Sequence, residues 1–323
     1  MTRDTKIEIL KVSGVIGICL LAFLAISYIF SMAVSYLIAY AGMKLTFNVM
    51  MGYQIIYTMV TLLVPFGLGA KAIKIIQKKD GSLPNLDFPK HRVLLLEGLG
   101  IGFAAMIICN FATSMFLNFL EDGGLEVEEF ALDNPSTVLE FIIALAAEAI
   151  IPGMVEEFAF RGVVLQSLRK YGDWFAIIVS SFLFAVLHGN MTQAPFAFLL
   201  AIVIARLVIR TGSIWTGIAI HVLNNSYAVI MNSVFDGASK ETVATVSVSI
   251  TLLAMTYGIM GSLWMNGYHK KLLEPMKSYG GETYKDNRLY SENAFLFTII
   301  SPPMLLALIA MLYNLFDTIH WGG

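Results

Sequence analysis

Long apolar runs, each of about 20 residues or more, occupy most of the chain and exclude an ordinary water-soluble fold. Of the 323 residues, 57% are hydrophobic and only 14% are charged, whereas a soluble domain carries about a quarter charged residues. Lipid offers the peptide backbone no hydrogen-bond partners, so each run is expected to form a helix that satisfies its own peptide groups. The sequence therefore predicts an all-α, polytopic membrane helix bundle.

The apolar runs predict about nine transmembrane helices, each with boundaries placed to within a few residues. The last span contains Pro302 and Pro303, which cannot donate backbone hydrogen bonds and therefore predict a kink. The predicted spans are 12–41, 47–70, 93–119, 137–160, 174–189, 194–210, 213–232, 242–266 and 293–316.

The distribution of lysine and arginine predicts how the chain is oriented, because basic residues concentrate in cytoplasmic connections. With the N-terminus in the cytoplasm, 19 of the 21 basic residues fall on the cytoplasmic side, and only Lys44 and Lys240 fall outside. We therefore expect an integral protein of the plasma membrane, in contact with membrane lipid, with a cytoplasmic N-terminus. The net charge of −2 gives no indication of a nucleic-acid partner.

The residues capable of chemistry are concentrated in the middle of the chain, which suggests three regions. Residues 1–136 form N-terminal transmembrane helices with three spans, 137–232 form a core, and 233–323 form C-terminal transmembrane helices. Cys19 and Cys109 lie singly inside apolar runs, a pattern typical of buried apolar residues and not of a disulfide framework or zinc knuckle.

Ionisable residues lie in the fourth predicted span and directly after it, where charged side chains are costly and usually functional. Glu157 and Arg161 are four residues apart on a helix and can form an ion pair. Glu156 is then about 100° around the helix and is free to face another group. Glu148 lies in the same span, and its position fits a place in a shared cavity and a packing or gating role equally well.

Helix geometry predicts that further polar residues meet Glu156. Glu156 precedes Gly172 by 16 residues and His188 follows it by 16. In a helical hairpin both would lie about 24 Å from the turn, at the same level. His221 and Asn225 are one helical turn apart, so both side chains can point into one cavity.

Such a group of side chains has the parts needed to hydrolyse an amide. A carboxylate within hydrogen-bond reach of a water can act as general base. A histidine can share that proton, and a second histidine with an amide one turn away can donate to an oxyanion. Two histidines and a glutamate are also a common zinc-binding set, and the sequence does not separate the two chemistries.

Three short segments carry a resemblance to a known family. Residues 156–161, 184–188 and 221–225 read Glu-Glu-Phe-Ala-Phe-Arg, Phe-Ala-Val-Leu-His and His-Val-Leu-Asn-Asn. They resemble the motifs EExxxR, FxxxH and HxxxN of the CAAX-protease and bacteriocin-processing family of intramembrane proteases, which includes the Ras-converting CAAX endopeptidases. The resemblance covers about residues 137–232 and departs from none of the three motifs.

The resemblance implies an intramembrane endopeptidase that acts on a protein or peptide substrate. It implies three pairs of residues with separate roles, namely water activation by Glu156 and His188, oxyanion binding by His221 and Asn225, and a structural pair of Glu157 and Arg161. The family is often called a metalloprotease family, so the cofactor stays open between a divalent metal such as zinc and none.

Two other functions use the same residues. A catalytically silent relative would act as a bacteriocin-immunity or scaffold protein. A proton-coupled transporter would use Glu156 and His188 as relay groups, although the chain contains no inverted repeat of the kind that many transporters carry.

The orientation predicts that residues 71–92 and 268–290, which contain 11 basic residues, are cytoplasmic. A cysteine introduced at Ser82 or Ser278 should therefore resist an impermeant thiol reagent added to intact cells, and should react once the cells are permeabilised. Efficient labelling of either cysteine in intact cells would contradict this orientation.

Overall fold

The structure is a computed structural model that describes residues 3–42, 44–78, 86–127, 134–235, 237–273 and 292–321. Ten helices account for most of these residues, and we number them in chain order. They are α1 Arg3–Ala41, α2 Phe47–Gln77, α3 Arg92–Asp122, α4 Val138–Tyr171, α5 Asp173–Leu187, α6 Ala194–Thr211, α7 Ile214–Phe235, α8 Lys240–Tyr268, α9 Glu292–Ile299 and α10 Pro302–Phe316.

The prediction of an all-α membrane bundle is confirmed. Seven of the described helices, α1 to α4 and α6 to α8, are long and apolar enough to cross a membrane. The other two predicted spans correspond to the shorter α5 and to α9 with α10. The break between α9 and α10 falls directly before Pro302 and Pro303, where the sequence predicts a kink, because two consecutive residues there have no N–H. The number of nine spans is therefore still a prediction.

A short antiparallel strand pair joins two distant parts of the chain outside the helices. Strand β1, Leu125–Val127, follows α3, and strand β2, Ile319–Trp321, follows α10. The register pairs Glu126 with His320. Ser82 and Ser278, the two positions chosen for cysteine labelling, lie outside the described residues.

Small residues allow the outer helices to pack closely. In α1, a Cβ at Gly17 would lie 2.3 Å from the Met304 backbone nitrogen, so α1 and α10 approach at backbone distance. Helix α3 packs against α8 in the same way, since a Cβ at Gly258 would lie 2.3 Å from the Cβ of Ala104. Van der Waals contact between small residues is the main packing force available where lipid replaces water.

The same two helices, α3 and α8, are also joined by a buried polar contact. The carboxylate of Glu97, only 2% exposed, accepts a short hydrogen bond from the Nδ1 of His269 directly after α8. Tyr257 on α8 donates to the backbone oxygen of Leu96 on α3 at 2.6 Å. This contact lies outside the three sequence motifs, and no spacing in the sequence indicates it.

Helix α4 is irregular around the two adjacent glutamates. The α-helical segment Ile151–Glu157 is flanked by π-helical segments Leu145–Ile150 and Phe158–Leu165. Pro152 lies in the first turn of the central segment, and its missing N–H interrupts the regular hydrogen-bond ladder. Widened π turns are frequent at functional sites because they change the direction in which neighbouring side chains point.

Two glycine turns bring the core helices back on themselves, and the first lies at Gly172, where the sequence predicts a helical hairpin. Gly172, with φ of 136°, separates α4 from α5, and Gly212, with φ of 75°, separates α6 from α7. Both values lie in a region that favours glycine. The two hairpins place α4, α5, α6 and α7 around a common interior.

The close approach of α1 and α10 predicts a large effect of added volume at Gly17. Gly17→Val should destabilise the fold by about 1–3 kcal/mol, because the backbone of α10 has to move away. The measurement is the melting temperature and the monodisperse fraction after detergent extraction. Gly67→Val is the matched control, since a Cβ at Gly67 meets nothing within 4 Å. Equal behaviour of the two variants would contradict the packing.

Candidate active site

A large, partly open cavity of about 1030 Å³ lies between α1, α2, α4, α5, α6 and α7. Four of the six predicted site residues line it, namely Glu156, His188, His221 and Asn225. The other two, Glu157 and Arg161, are fully buried behind this wall. The structure thus separates the predicted residues into a cavity-lining group and a supporting pair.

The supporting pair is an ion pair inside the bundle. Arg161 Nη1 lies 2.9 Å from Glu157 Oε1, with side chains 1% and 0% exposed. The guanidinium also lies over the ring of Phe184, 4.6 Å from its centroid. A charge buried in this way needs its partner, because removal of one member leaves the other without compensation. The cation–π contact links the pair to α5.

The same carboxylate also holds His221 on α7. His221 Nδ1 lies 2.9 Å from Glu157 Oε1, and since an ionised carboxylate only accepts, the Nδ1 nitrogen carries the hydrogen. The sequence predicts the pair with Arg161 but not this third partner. Glu157 therefore connects α4 to α7 as well as to its own next turn.

A glycine makes room for this connection. A Cβ at Gly217 would lie 2.6 Å from Glu157 Oε2, so any side chain there would displace the carboxylate. Gly217 precedes His221 by one helical turn on α7. Gly217 could not be predicted as a site residue from the sequence, because a single glycine in an apolar helix has no distinguishing signal.

The second ring nitrogen of His221 faces the first glutamate. His221 Nε2 lies 3.7 Å from Glu156 Oε2, and the two side chains are 8% and 17% exposed. The adjacent glutamates therefore contact opposite nitrogens of one imidazole. Among the described residues, Arg161 forms its ion pair with Glu157 and not with Glu156, and the Glu156 carboxylate lies at the cavity surface.

His188 caps the C-terminal end of α5 instead of lying within it. Its Nδ1 donates to the backbone oxygen of Phe184 at 2.9 Å. A carbonyl oxygen can only accept, so Nε2 is the nitrogen with a free lone pair in the neutral ring. Phe184, the first residue of the FxxxH motif, thus orients the ring of His188, the last residue of the motif, through its backbone oxygen.

The Asn225 amide is held at both ends. Its Nδ2 donates to the backbone oxygen of Glu148 at 2.9 Å, and its Oδ1 accepts from Asn224 Nδ2 at 2.9 Å. An amide nitrogen carries two hydrogens, so one N–H remains for another acceptor. Asn224 also lines the cavity and was not predicted as a site residue.

The N-terminal helices contribute a wall that the sequence did not predict. Tyr57 on α2 lines the cavity, and its hydroxyl lies 3.0 Å from Ser27 Oγ on α1. Gln54 and Thr58 follow the same face of α2. These residues lie in apolar runs without a recognised motif, so their meeting with Glu156 depends on tertiary packing alone.

A metal ion was left open by the sequence. Across the part of the chain that the structure describes, no group of three or more histidine, cysteine, aspartate or glutamate side chains is arranged to hold one. His221 Nδ1 faces Glu157, whose carboxylate also pairs with Arg161. As placed, these residues do not fit a three-ligand site.

Residues 138–227 match the family model described as Type II CAAX prenyl endopeptidase Rce1-like. The matched segment runs from the start of α4 into α7 and contains all three motifs. No solved structure matches the chain.

Three curated relatives are similar to this chain. The putative membrane peptidase YdiL of Bacillus subtilis (strain 168) is 28% identical over 118 residues, 34% of this chain and 48% of the relative. The UPF0177 protein YvdC of Lactococcus lactis subsp. lactis (strain IL1403) is 20% identical over 162 residues, 49% and 59% of the two chains. The membrane-embedded CAAX protease MroQ of Staphylococcus aureus (strain USA300) is 26% identical over 219 residues, 63% and 82%. The chain thus spans about half the length of the first two relatives.

The buried pair predicts that Arg161→Ala loses folded protein and not only activity. Removing the guanidinium leaves Glu157 buried without its cation, which costs about 3–5 kcal/mol. The measurement is folded yield by size-exclusion chromatography. Arg92→Ala, which removes an exposed arginine at the start of α3, is the control and should fold normally. A well-folded Arg161→Ala protein would show that the pair does not support the bundle.

Proposed function

We propose that this chain, which belongs to the CAAX-protease and bacteriocin-processing family, is an intramembrane endopeptidase that hydrolyses peptide bonds with a water activated by Glu156 and His188. The observation that carries the proposal is the polar end of the cavity. There Glu156 Oε2 and His221 Nε2 lie 3.7 Å apart in an otherwise largely apolar enclosure, with His188 and Asn225 in the same wall.

Glu156 is suited to act as general base because its neighbour neutralises the arginine. Glu157 forms the ion pair with Arg161, so Glu156 is not the pair partner and can accept a proton. The water oxygen attacks the scissile carbonyl carbon while its proton passes to the carboxylate. His188, with Nε2 as acceptor, positions the same water. The proton then moves to the leaving amine as the C–N bond breaks.

The developing oxyanion needs donors, and two nitrogens in the wall can supply them. Asn225 has one N–H beyond the bond to Glu148. His221 Nε2, which lies 3.7 Å from Glu156 Oε2 at the cavity surface, is the second nitrogen, and it donates in the ring form that carries hydrogen on both nitrogens. Preorganised donors of this kind are a large term in catalysis.

The apolar lining of the cavity supports a substrate that reaches the site through or along the membrane. The cavity is lined largely by apolar residues from α1, α2 and α6. Peptide or protein substrates in contact with lipid can enter such a space without first crossing water. We place the protein in the cell membrane with its N-terminus in the cytoplasm, as the distribution of basic residues indicates.

Two substitutions test the mechanism. Glu156→Gln should abolish hydrolysis with little effect on folding, because it keeps the shape and removes only the basic oxygen. Asn225→Ala should lower turnover by about 10²–10³, the usual size for one lost oxyanion donor. The measurement is single-turnover cleavage of a fluorogenic peptide library by purified protein. Asn232→Ala, another asparagine of the cavity wall on α7, is the matched control and should retain far more activity than Asn225→Ala.

The outcomes separate the alternatives. Turnover by Glu156→Gln at the wild-type rate would contradict the mechanism. Substrate movement across vesicles by a folded Asn225→Ala protein, without cleavage by the wild type, would instead favour a transporter. Absence of both would favour the silent immunity or scaffold protein. Activity should also survive a chelator, whereas loss that zinc restores would favour the metal chemistry.

A further inference from the structure

The cavity wall has an unequal distribution of charge. Among the described residues that line it, two are carboxylates, Glu148 and Glu156, and none is a lysine or arginine. The supporting Arg161 is 1% exposed behind the wall and is paired with Glu157. A substrate that occupies the cavity therefore meets two acids and, apart from the two histidines, no basic group.

The two acids have different surroundings. Glu156 faces His221, as described above. The Glu148 carboxylate is half-buried and has no hydrogen bond or ion pair within the described residues, although its backbone oxygen accepts from Asn225. A partly desolvated carboxylate without a partner loses hydration that nothing in the bundle replaces. A packing or gating role, which the sequence left open, would not supply the carboxylate with a hydrogen-bond partner.

The spacing between the acids suggests where a partner would lie. Glu148 and Glu156 are eight residues apart on α4, which corresponds to about 12 Å along the helix. Pro152, halfway between them, lines the same cavity, so the wall is continuous. An extended peptide advances about 3.3 Å per residue. Three to four substrate residues therefore separate a bond held at Glu156 from a side chain at Glu148.

We propose that Glu148 is a specificity residue that binds a lysine or arginine side chain of the substrate, three to four residues from the scissile bond. This inference rests on the proposed peptidase function. A cationic side chain would supply the partner that the Glu148 carboxylate lacks, and charge-assisted hydrogen bonds in a partly buried site are stronger than neutral ones. An acidic side chain at the same substrate position would be repelled by Glu148.

The distance between Glu148 and Glu156 also distinguishes substrate binding by Glu148 from a role in proton transfer. Glu148 is too far from Glu156 to exchange a proton with it directly, since a general acid or base acts within about 3 Å or through one water. The hydrogen bond from Asn225 to the Glu148 backbone involves only the main chain, so it persists when the carboxylate is changed. Substitution of the Glu148 side chain can therefore probe recognition without removal of an oxyanion donor.

Binding is tested first, in a background that cannot hydrolyse. The Glu156→Gln protein in neutral detergent is titrated with an apolar peptide that has blocked ends and a single lysine. The matched peptide carries Nε-acetyl-lysine, which keeps the four-carbon side-chain stem and removes the charge. We expect about tenfold or tighter binding of the lysine peptide. Glu148→Gln in the same background should reduce that ratio to about twofold or less.

Two further variants control for charge and folding. Glu241→Gln removes an exposed carboxylate at the start of α8, outside the cavity, and should leave the binding ratio unchanged. Glu148→Asp keeps the charge and should retain a preference for the lysine peptide. Each variant is compared as a monodisperse peak in size-exclusion chromatography. Equal binding of both peptides by protein that retains Glu148 would overturn the inference.

Cleavage by the Glu156-containing protein distinguishes this inference from the function on which it rests. A higher kcat/KM for the lysine peptide, lowered by Glu148→Gln, would support both. Cleavage of both peptides with equal kcat/KM would overturn the role of Glu148 and leave the peptidase intact. Glu148-dependent binding without cleavage of any peptide would support the binding site and contradict the peptidase.

Discussion

The buried contact of Glu157 with Arg161 and His221 is the interaction on which the rest of the site depends. One carboxylate oxygen lies 2.9 Å from the arginine of the next turn and 2.9 Å from the imidazole of α7. This position is buried, so solvent does not compensate a single charge there, and each of the three side chains requires its partners. Gly217 allows the carboxylate to approach α7, and the guanidinium packs on the ring of Phe184. Glu157 and its partner Arg161 thus join α4, α5 and α7, the helices that carry the proposed chemistry.

The consequence is a division of roles between two adjacent, chemically identical residues. The helix turns Glu156 away from the guanidinium, toward the cavity and toward the opposite nitrogen of His221. The π-helical segments on either side, together with Pro152, let α4 present Glu148 and Glu156 along one wall. In the proposed mechanism, these identical side chains have different functions because their partners differ, Glu157 as a fixed counter-ion and Glu156 as the base.

Local spacing accounts for what could be predicted from the sequence. The i,i+4 relation of Glu157 and Arg161, the same relation of His221 and Asn225, and the glycine turn at Gly172 depend on helix geometry alone, and the structure contains all three. The bond from His221 to Glu157 could not be predicted, because it joins residues 64 positions apart through packing. The cavity wall from α1 and α2 was missed for the same reason. Tyr57 and Ser27 are ordinary members of apolar runs until tertiary contacts bring them together.

The central claim is that Glu157 fixes the tautomer of His221 so that Nε2 faces Glu156. Nitrogen NMR of the protein labelled with ¹⁵N-histidine tests it most directly, because the shifts of the two ring nitrogens report which one carries hydrogen. The chain has 5 histidines, and His221→Gln would assign the signal. The account predicts a protonated, hydrogen-bonded Nδ1 in His221 whose resonance moves strongly in Glu157→Gln. A neutral ring with hydrogen on Nε2 and a bare Nδ1, unaffected by Glu157→Gln, would contradict it.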